Sequence, residues 1–404
     1  MWFGKSIDIF MSRSLFSRYD FAIINRSFWP VHPVLGEALL QFAERTAGSK
    51  KTCVVMQDQV GIRENLKEHG RGKGVTFFPC KAWTTSASGI LKRIVDTAFF
   101  MLWVVGVLLW TRPRKVYVAT DPPVLVPLVV MIYCKMFRAS YVYHLQDIHP
   151  EAANVVVPLN PVLFRCLRWA DGLVMRNATK LITLTEEMKS EILARSGTVA
   201  SIALISNPAI SFGEALRATE VKEGFSFCGN AGRLQRIPLL IEAIQRYLGR
   251  GGGLKFAFAG GGVYAADIQA LAERHPQVHY HGIVSAEEAA RLNRGYRWGL
   301  LPIEDEVTRY AFPSKSSSYV FSGALILAIC GEQTSVAQWV TSNRLGIVVK
   351  AGVGELVNTF QKIEIGEIDT SGLDSSRNDL KSALSIDRYI KNLELAIFEE
   401  SPIR

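Results

Sequence analysis

FSFCGNAGRLQRIPLLIEAI, residues 225–244, reads as a short uncharged strand, a glycine turn and the opening of an amphipathic helix. Gly229 and Gly232 permit a turn that β-carbons would obstruct, and Ile237, Leu240, Ile241 and Ile244 recur at helical spacing. A helix beginning at that turn points unpaired backbone N–H groups toward it, and Arg233 and Arg236 add two positive charges. With Asn230 beside the first glycine, the turn suits a diphosphate. The competing reading is an ordinary strand-to-helix turn with two solvated arginines.

Outward from this turn, 404 residues are too many for one ordinary core and suit two domains. A net charge of +9 and a pI near 9.2 point to an anionic partner. The basic residues are mostly scattered singly, with neither a Lys/Arg tail nor aromatic-basic interleaving, which sets nucleic acid aside and leaves phosphate or a membrane surface. Cys53, Cys80, Cys134, Cys166, Cys228 and Cys330 lie far apart without a C-x-x-C pair, and read as reduced core residues of a cytosolic protein. Residues 1–19 mix apolar side chains with Lys5, Arg13 and Arg18, and lack the unbroken apolar core of an export signal.

Strand-like runs recur along both halves. FAIIN, TCVVM, VTFF, KVYVA, YVYHL, LITL and IALIS alternate with helical stretches before residue 210, and FSFCGN, LKFAFAG, VHYHG, WGLLPI, ALILAI and LGIVV do so after it. This alternation predicts two α/β, Rossmann-like, doubly wound parallel sheets facing across a cleft. The expected boundaries are a first domain over 1–210, a linker over 211–223, a second domain over 224–384 and a helix within 385–404 able to return to the first domain. Ligands of such sheets sit at strand C-terminal ends. In the second domain those ends carry Gly229, the triplet Gly260, Gly261 and Gly262, and His281 with Gly282. The turn GNAGRLQ does not match the G-x-G-x-x-G of dinucleotide sites, which argues against hydride chemistry.

Two apolar runs complicate a purely water-facing reading. Residues 97–111, TAFFMLWVVGVLLWT, carry no charge and lie between Lys92, Arg93 and Asp96 on one side and Arg112, Arg114 and Lys115 on the other. At about 15 residues the run falls short of the ~20 that span a bilayer. It reads either as a buried helix or as a surface that dips Trp103 and Trp110 into anionic headgroups. A second run, PPVLVPLVVMIYC, begins at Pro122. In HLQDIHPEAAN, residues 144–154, the side chains of His144, Asp147, His149 and Glu151 crowd a loop at a strand end. Their spacing fits no familiar metal-ligand pair, and no metal is expected. A catalytic or acceptor-binding loop, with Asp147, His149 and Glu151 as candidates, stands against a solvated loop in which Pro150 sets up a helix.

GNAGRLQ before a helix, FAGGG after the next strand, HGIVSAEEAARL, FPSKSSSYVFSGALILA and LGIVV together resemble the donor domain of glycosyltransferase family 4, the retaining GT-B enzymes. In the first half, QDIHPEAA is similar to that family's acidic-proline loop, and ADGLVMRNATKLITLTEEMKSEIL followed by ISNP to its approach to the linker. The closest branch builds bacterial surface polysaccharides. The resemblance implies transfer of a sugar, with retained anomeric configuration, from a UDP-sugar co-substrate to a polyprenyl-diphosphate-linked glycan in exopolysaccharide, capsule or O-antigen synthesis. It needs no other cofactor, and places the protein peripherally on the cytoplasmic face of the cell membrane. The alternatives are a non-catalytic GT-B partner subunit and a GT-B nucleotide-sugar epimerase.

The expected donor contacts are Gly229, Asn230, Gly232, Arg233, Arg236, Gly261, His281, Gly282, Pro313, Ser314 and Lys315, with Ser318 a stand-in where the resembled family has a ribose-binding glutamate. Arg233, Arg236 and Lys315 would neutralise the departing diphosphate without a metal. The acceptor would enter near residues 25–32 and 146–151, where Asp147 would orient its hydroxyl or take the proton. Two departures stand out. The family often carries glutamates eight positions apart where this chain has Tyr310 and Ser318, and a histidine where it has Gln146.

Overall fold

The computed structural model describes residues 19–84, 90–209 and 222–399. Seven short β-rich runs form the first sheet: β1 (Phe21–Ile24), β2 (Thr52–Asp58), β3 (Val75–Lys81), β4 (Lys115–Ala119), β5 (Ser140–His144), β6 (Lys180–Thr183) and β7 (Ser201–Leu204). Its order is β3-β2-β1-β4-β5-β6-β7, parallel throughout. The second sheet holds β8 (Lys222–Cys228), β9 (Lys255–Ala259), β10 (Val278–Tyr280), β11 (Tyr296–Pro302), β12 (Leu325–Ile329) and β13 (Gly346–Val349), in the order β10-β9-β8-β11-β12-β13. Each run predicted as a strand falls in one of these. Of the residues read as linker, 211–221 lie outside the described residues, while Lys222 and Glu223 already belong to β8.

Strand β1 shows why both faces of a sheet must be covered. All four of its side chains are buried, so Phe21 and Ile23 need one apolar layer and Ala22 and Ile24 another. Helices Leu35–Ala47 and Ile386–Phe398 supply the first through Leu39, Phe42, Tyr389 and Leu393. Helices Ile90–Thr111, Leu125–Phe137 and Pro161–Asn177 supply the second through Phe100, Val104, Val130 and Val174. The helix 386–398 therefore belongs spatially to the first sheet, held also by an Arg45–Glu394 ion pair of 2.9 Å and by Lys115 Nζ donating to Ile397 O at 2.8 Å. In the second sheet Phe225 stacks on Phe256 at 5.2 Å and meets Phe360 at 4.9 Å, under helices Ile237–Gly249 and Val353–Glu364. Truncating such a phenylalanine to alanine costs about 3–5 kcal/mol.

The 97–111 run is part of a longer helix, Ile90–Thr111, of 22 residues. The sequence reading ended it at the charges before Thr97, but Asp96 is itself buried. Its carboxylate accepts from Gln57 Nε2 at 2.8 Å and Thr84 Oγ1 at 2.7 Å, so the helix runs through it. Residues Ile94–Thr111 are long and apolar enough to cross a bilayer, yet a third of that stretch is buried in the protein. One face of the run is core, as the buried-helix reading expects, and the other is open, with Trp110 82 % exposed. Among the cysteines, Cys53, Cys80, Cys134 and Cys330 are buried as expected, Cys228 is half-buried and Cys166 is exposed.

Candidate functional site at the two sheet switch points

A doubly wound sheet opens a crevice where consecutive connections leave in opposite directions. Here that happens between β1 and β4 in the first sheet and between β8 and β11 in the second. At the second, two glycine turns lie backbone against backbone. Gly229 N donates to Ala259 O at 2.8 Å, and Ala231 N to Gly261 O at 2.7 Å. A β-carbon on Gly260, whose φ is +121°, would sit 2.1 Å from Gly229 O, and one on Gly229 would sit 2.6 Å from Lys315 Cε. Glycine at 260 is thus required by the contact between turns, and at 229 by its own φ of +132°.

Lys315 begins the helix Lys315–Ser322 and reaches over the Phe227 ring, Nζ 3.8 Å from its centroid and 3.3 Å from Asn230 O. Burial pushes this amine down to about 7, and its neighbour Cys228 up to about 12. Beside it lies a cavity of about 250 Å³ lined by Cys228, Gly229, Gly260, Asn293, Arg294 and Ser318, and closed by Pro33 and Val34 of the first domain. Gly282 O accepts from Gly260 N at 2.6 Å, which joins the third strand end to the same wall, and His281 beside it is exposed. Ser316 N donates to Pro313 O at 3.2 Å and Ser314 is exposed at the start of the helix. Of the residues expected to hold a donor, Gly229 and Ser318 line the cavity, Asn230, Gly261, Gly282 and Lys315 are bonded to the glycine turns beside it, and Pro313 and Ser314 lead into the helix that starts at Lys315.

Three expectations are corrected. The helix does not begin at the GNAG turn: a 3-10 turn, Arg233–Gln235, intervenes, with Gln235 Oε1 accepting from Gly232 N at 3.0 Å, and the helix starts at Ile237. Its N-terminus is displaced from the turn, and the helix starts that line the cavity are those of Ala286–Arg294, through Ser285 and Ala286, and of Leu35–Ala47, through Val34. Second, Arg236 does not face the turn as a free charge. It adopts φ 45°, donates to Ile303 O at 2.8 Å and pairs with Glu304 and Asp305 at 3.0 Å each, tying the end of β11 to the turn. Arg233, by contrast, is exposed and makes no hydrogen bond or ion pair among the described residues.

Third, Glu151 is not a free carboxylate in the first sheet's crevice. It pairs with Arg195 at 2.7 Å and Arg168 at 3.0 Å, while Arg195 also pairs with Asp171, which accepts from Tyr143 OH at 2.7 Å. Breaking such a buried network by removing one charge is strongly destabilising, so Glu151 holds the loop and Asp147 and His149 are left as its candidate groups. Burial and Asp121 push the Asp147 carboxyl up to about 6; burial and Arg195 push His149 down to about 4. His144 is fully buried, its Nδ1 2.6 Å from Tyr117 OH, and burial pushes it down to about 3.

The sequence reading missed Thr120 and Asp121, and held Arg26 only as part of the stretch 25–32. Asp121 accepts from Arg26 Nε at 3.0 Å and Ser27 N at 2.9 Å, and Thr120 Oγ1 accepts from the backbone N of Gln146 and Asp147. The signal was the position after KVYVA, the strand that flanks the switch point, but β4 is recognisable as that strand only once the sheet order is known. Asn25 Oδ1, His144 Nε2 and Gln146 Nε2 are buried on these strand ends without a partner among the described residues. Buried polar atoms are rarely left so, and a hydroxyl-rich ligand would satisfy them.

The two crevices are joined. Asp147 bridges Ala311 in antiparallel fashion, Ile148 N donates to Tyr310 O at 2.7 Å, and Arg309 pairs with Glu191 at 3.0 Å. Tyr310 thus serves the seam between domains where the family has its first glutamate, and its ring packs on the first domain's core. Ser318 lines the cavity where the second would be.

No protein-family model matches the chain. Over 270 residues it is 23 % identical to a curated protein named probable glycosyltransferase WbjE, from Pseudomonas aeruginosa; the match spans 61 % of this chain and 66 % of that protein, just under two-thirds of its length. HepE from Anabaena, solved with UDP, superposes with a TM-score of 0.63 at 14 % identity, covering 93 % of this chain and 98 % of that one. WaaG, described as a glycosyltransferase involved in lipopolysaccharide biosynthesis, superposes with a TM-score of 0.62 at 12 % identity over 94 % and 100 % of the two chains. The sheets, the crevices and these likenesses agree on one architecture: two Rossmann-like domains in the GT-B arrangement of glycosyltransferases.

Proposed function

We propose that the protein is a retaining glycosyltransferase that moves a sugar from a UDP-sugar to a lipid-linked glycan in surface-polysaccharide synthesis. The observation that carries this reading is the cavity beside Gly229 and Lys315, closed from the first domain by Pro33 and Val34, with the loop bearing Asp147 bridged to Ala311 at the domain seam. Its support from outside is that HepE, of similar fold, was solved with UDP and with UDP-glucose. The hard step is departure of a diphosphate. Lys315 and Arg233, with the N-terminus of Lys315–Ser322, oppose the charge that develops there. Asp147 orients the acceptor hydroxyl and accepts its proton when ionised, which it is above about pH 6. The open face of Ile90–Thr111 keeps the protein at the inner membrane surface, where a polyprenyl-diphosphate-linked acceptor resides.

One observation favours a second reading, a GT-B partner subunit that binds a nucleotide without turning it over: both family glutamate positions lack a carboxylate, at Tyr310 and Ser318. A thermal-shift panel of nucleotides and nucleotide sugars, followed by assay of UDP release with lipid-linked glycans, separates the two. Transfer is expected, and with full activity in EDTA; binding without turnover against every acceptor would establish the partner subunit, and EDTA loss rescued by magnesium would overturn the metal-free mechanism.

A further inference from the structure

Helix Pro161–Asn177 is built in two unlike halves. Its buried residues, Asp171, Gly172, Val174 and Met175, all lie in its last two turns. The first half is well started, with the Asn160 side chain accepting from Val162 N at 2.9 Å, but it has almost no core beneath it. Val162 and Trp169 are each 66 % exposed, and Leu163 and the preceding Val157 are exposed too. An ordinary surface helix carries polar side chains at such positions, and a cluster of exposed large apolar residues marks an interaction surface. The charges interspersed here are positive, Arg165 and Arg168.

The location gives the cluster its meaning. Helices between parallel strands run back along the sheet, so the first half of this helix lies at the strand C-terminal edge, where the crevice is. It follows the acceptor loop directly: His149 and Pro150 lead into helix Glu151–Val156, then Val157, then Pro161. Arg168 is tied to that loop by its 3.0 Å pair with Glu151. Helix Pro161–Asn177 also lies on the same face of the first sheet as Ile90–Thr111 and Leu125–Phe137, all three contributing to one core cluster.

We propose that Val157, Val162, Leu163 and Trp169, with Arg165 and Arg168, form a second and separate membrane contact, a prong that seats the mouth of the acceptor crevice on an anionic lipid surface. This rests on the lipid-linked acceptor reading above. Apolar side chains enter the headgroup boundary while Arg165 meets lipid phosphates and Arg168 adds charge from its pair with Glu151, so binding has both an insertion part and a salt-sensitive part. Two contacts fix orientation as well as attachment. The helix Ile90–Thr111 alone would leave the molecule free to pivot, whereas the prong turns the crevice toward the acceptor.

The test uses the full chain and phosphatidylcholine vesicles with and without phosphatidylglycerol. Leu163→Asp combined with Trp169→Ser removes exposed side chains only, so its melt should match the parent's. Its co-sedimentation with anionic vesicles should fall at least about tenfold, and so should turnover of a vesicle-borne acceptor, while the UDP-induced thermal shift is unchanged. Arg165→Glu should weaken binding to anionic vesicles and leave the weaker neutral-vesicle binding as it was. Vesicle binding by the double variant equal to the parent's would overturn the proposal. So would a parent dimer that the double variant converts to monomer, since a second copy would then be the occupant. A missing UDP shift in parent and variant alike would strike the donor reading instead, and the vesicle result would still decide the prong.

Discussion

Lys315 and Arg236 show how one charge of a predicted pair differs from another once its neighbours are known. Lys315→Ala and Arg233→Ala should each cut turnover by roughly a hundredfold with little change in melting, because each removes charge opposing the leaving diphosphate. Arg236→Ala should do the reverse, lowering the melt first, because it releases Glu304, Asp305 and Ile303 O together. Steady-state kinetics beside thermal melts of the three variants checks the split. The pH dependence follows from Lys315. Its folded value of about 7 lies below that of a free lysine, so at pH 8 most of the amine is neutral, and a bound diphosphate restores its charge. UDP binding should therefore take up a proton and weaken as pH rises above about 7; calorimetry in two buffers of different ionisation enthalpy measures the uptake. The residue types at 229–236 were legible in the sequence as a glycine turn after a strand, carrying two arginines. The role of Arg236 was not, since Glu304 and Asp305 lie almost seventy positions on and only the pairing of β8 with β11 brings them near.

At the scale of the element, regular alternation made all thirteen described strands readable, because short β-rich runs between glycine turns leave few alternatives. Helix ends were harder to read, since they depend on what satisfies a charge or caps a turn. Ile90–Thr111 runs past the point suggested by Asp96 because Gln57 and Thr84 bond the carboxylate. The open and covered faces of this helix should respond differently to the same substitution. Trp103 Nε1 donates to Phe78 O at 3.2 Å and its ring is more covered than that of Trp110. Trp103→Ser should lower the melt, by about 1–3 kcal/mol in chemical denaturation. Trp110→Ser should leave stability within about 0.5 kcal/mol of the parent and reduce vesicle binding alone.

Across the whole molecule, the chain passes between domains twice, once through residues 210–221 and again where Leu384 leads into Ile386–Phe398. The second passage is supported by Ala209 N donating to Leu384 O at 3.1 Å, and the seam by Ser317 Oγ donating to Asn207 O at 2.9 Å. A fully buried leucine on the last helix thus guards a sheet formed by the first residues. Leu393→Ala should cost about 2–5 kcal/mol. Hydrogen exchange should show protection lost in β1 and in Leu35–Ala47, with the second sheet spared. Loss confined to the second sheet would contradict the placement of that helix.

That return of the chain has a consequence in time. The first sheet is fully translated long before the helix that covers Phe21 and Ile23 leaves the ribosome, an interval on the order of ten to forty seconds at ~5–20 residues per second. Throughout that interval the nascent domain shows an apolar patch that Leu35–Ala47 covers only in part, and it cannot reach its final stability. Chaperones should therefore hold the emerging chain until the last helix docks, and a transcript broken late in the message should yield a product whose damage appears in the part of the protein that was made first.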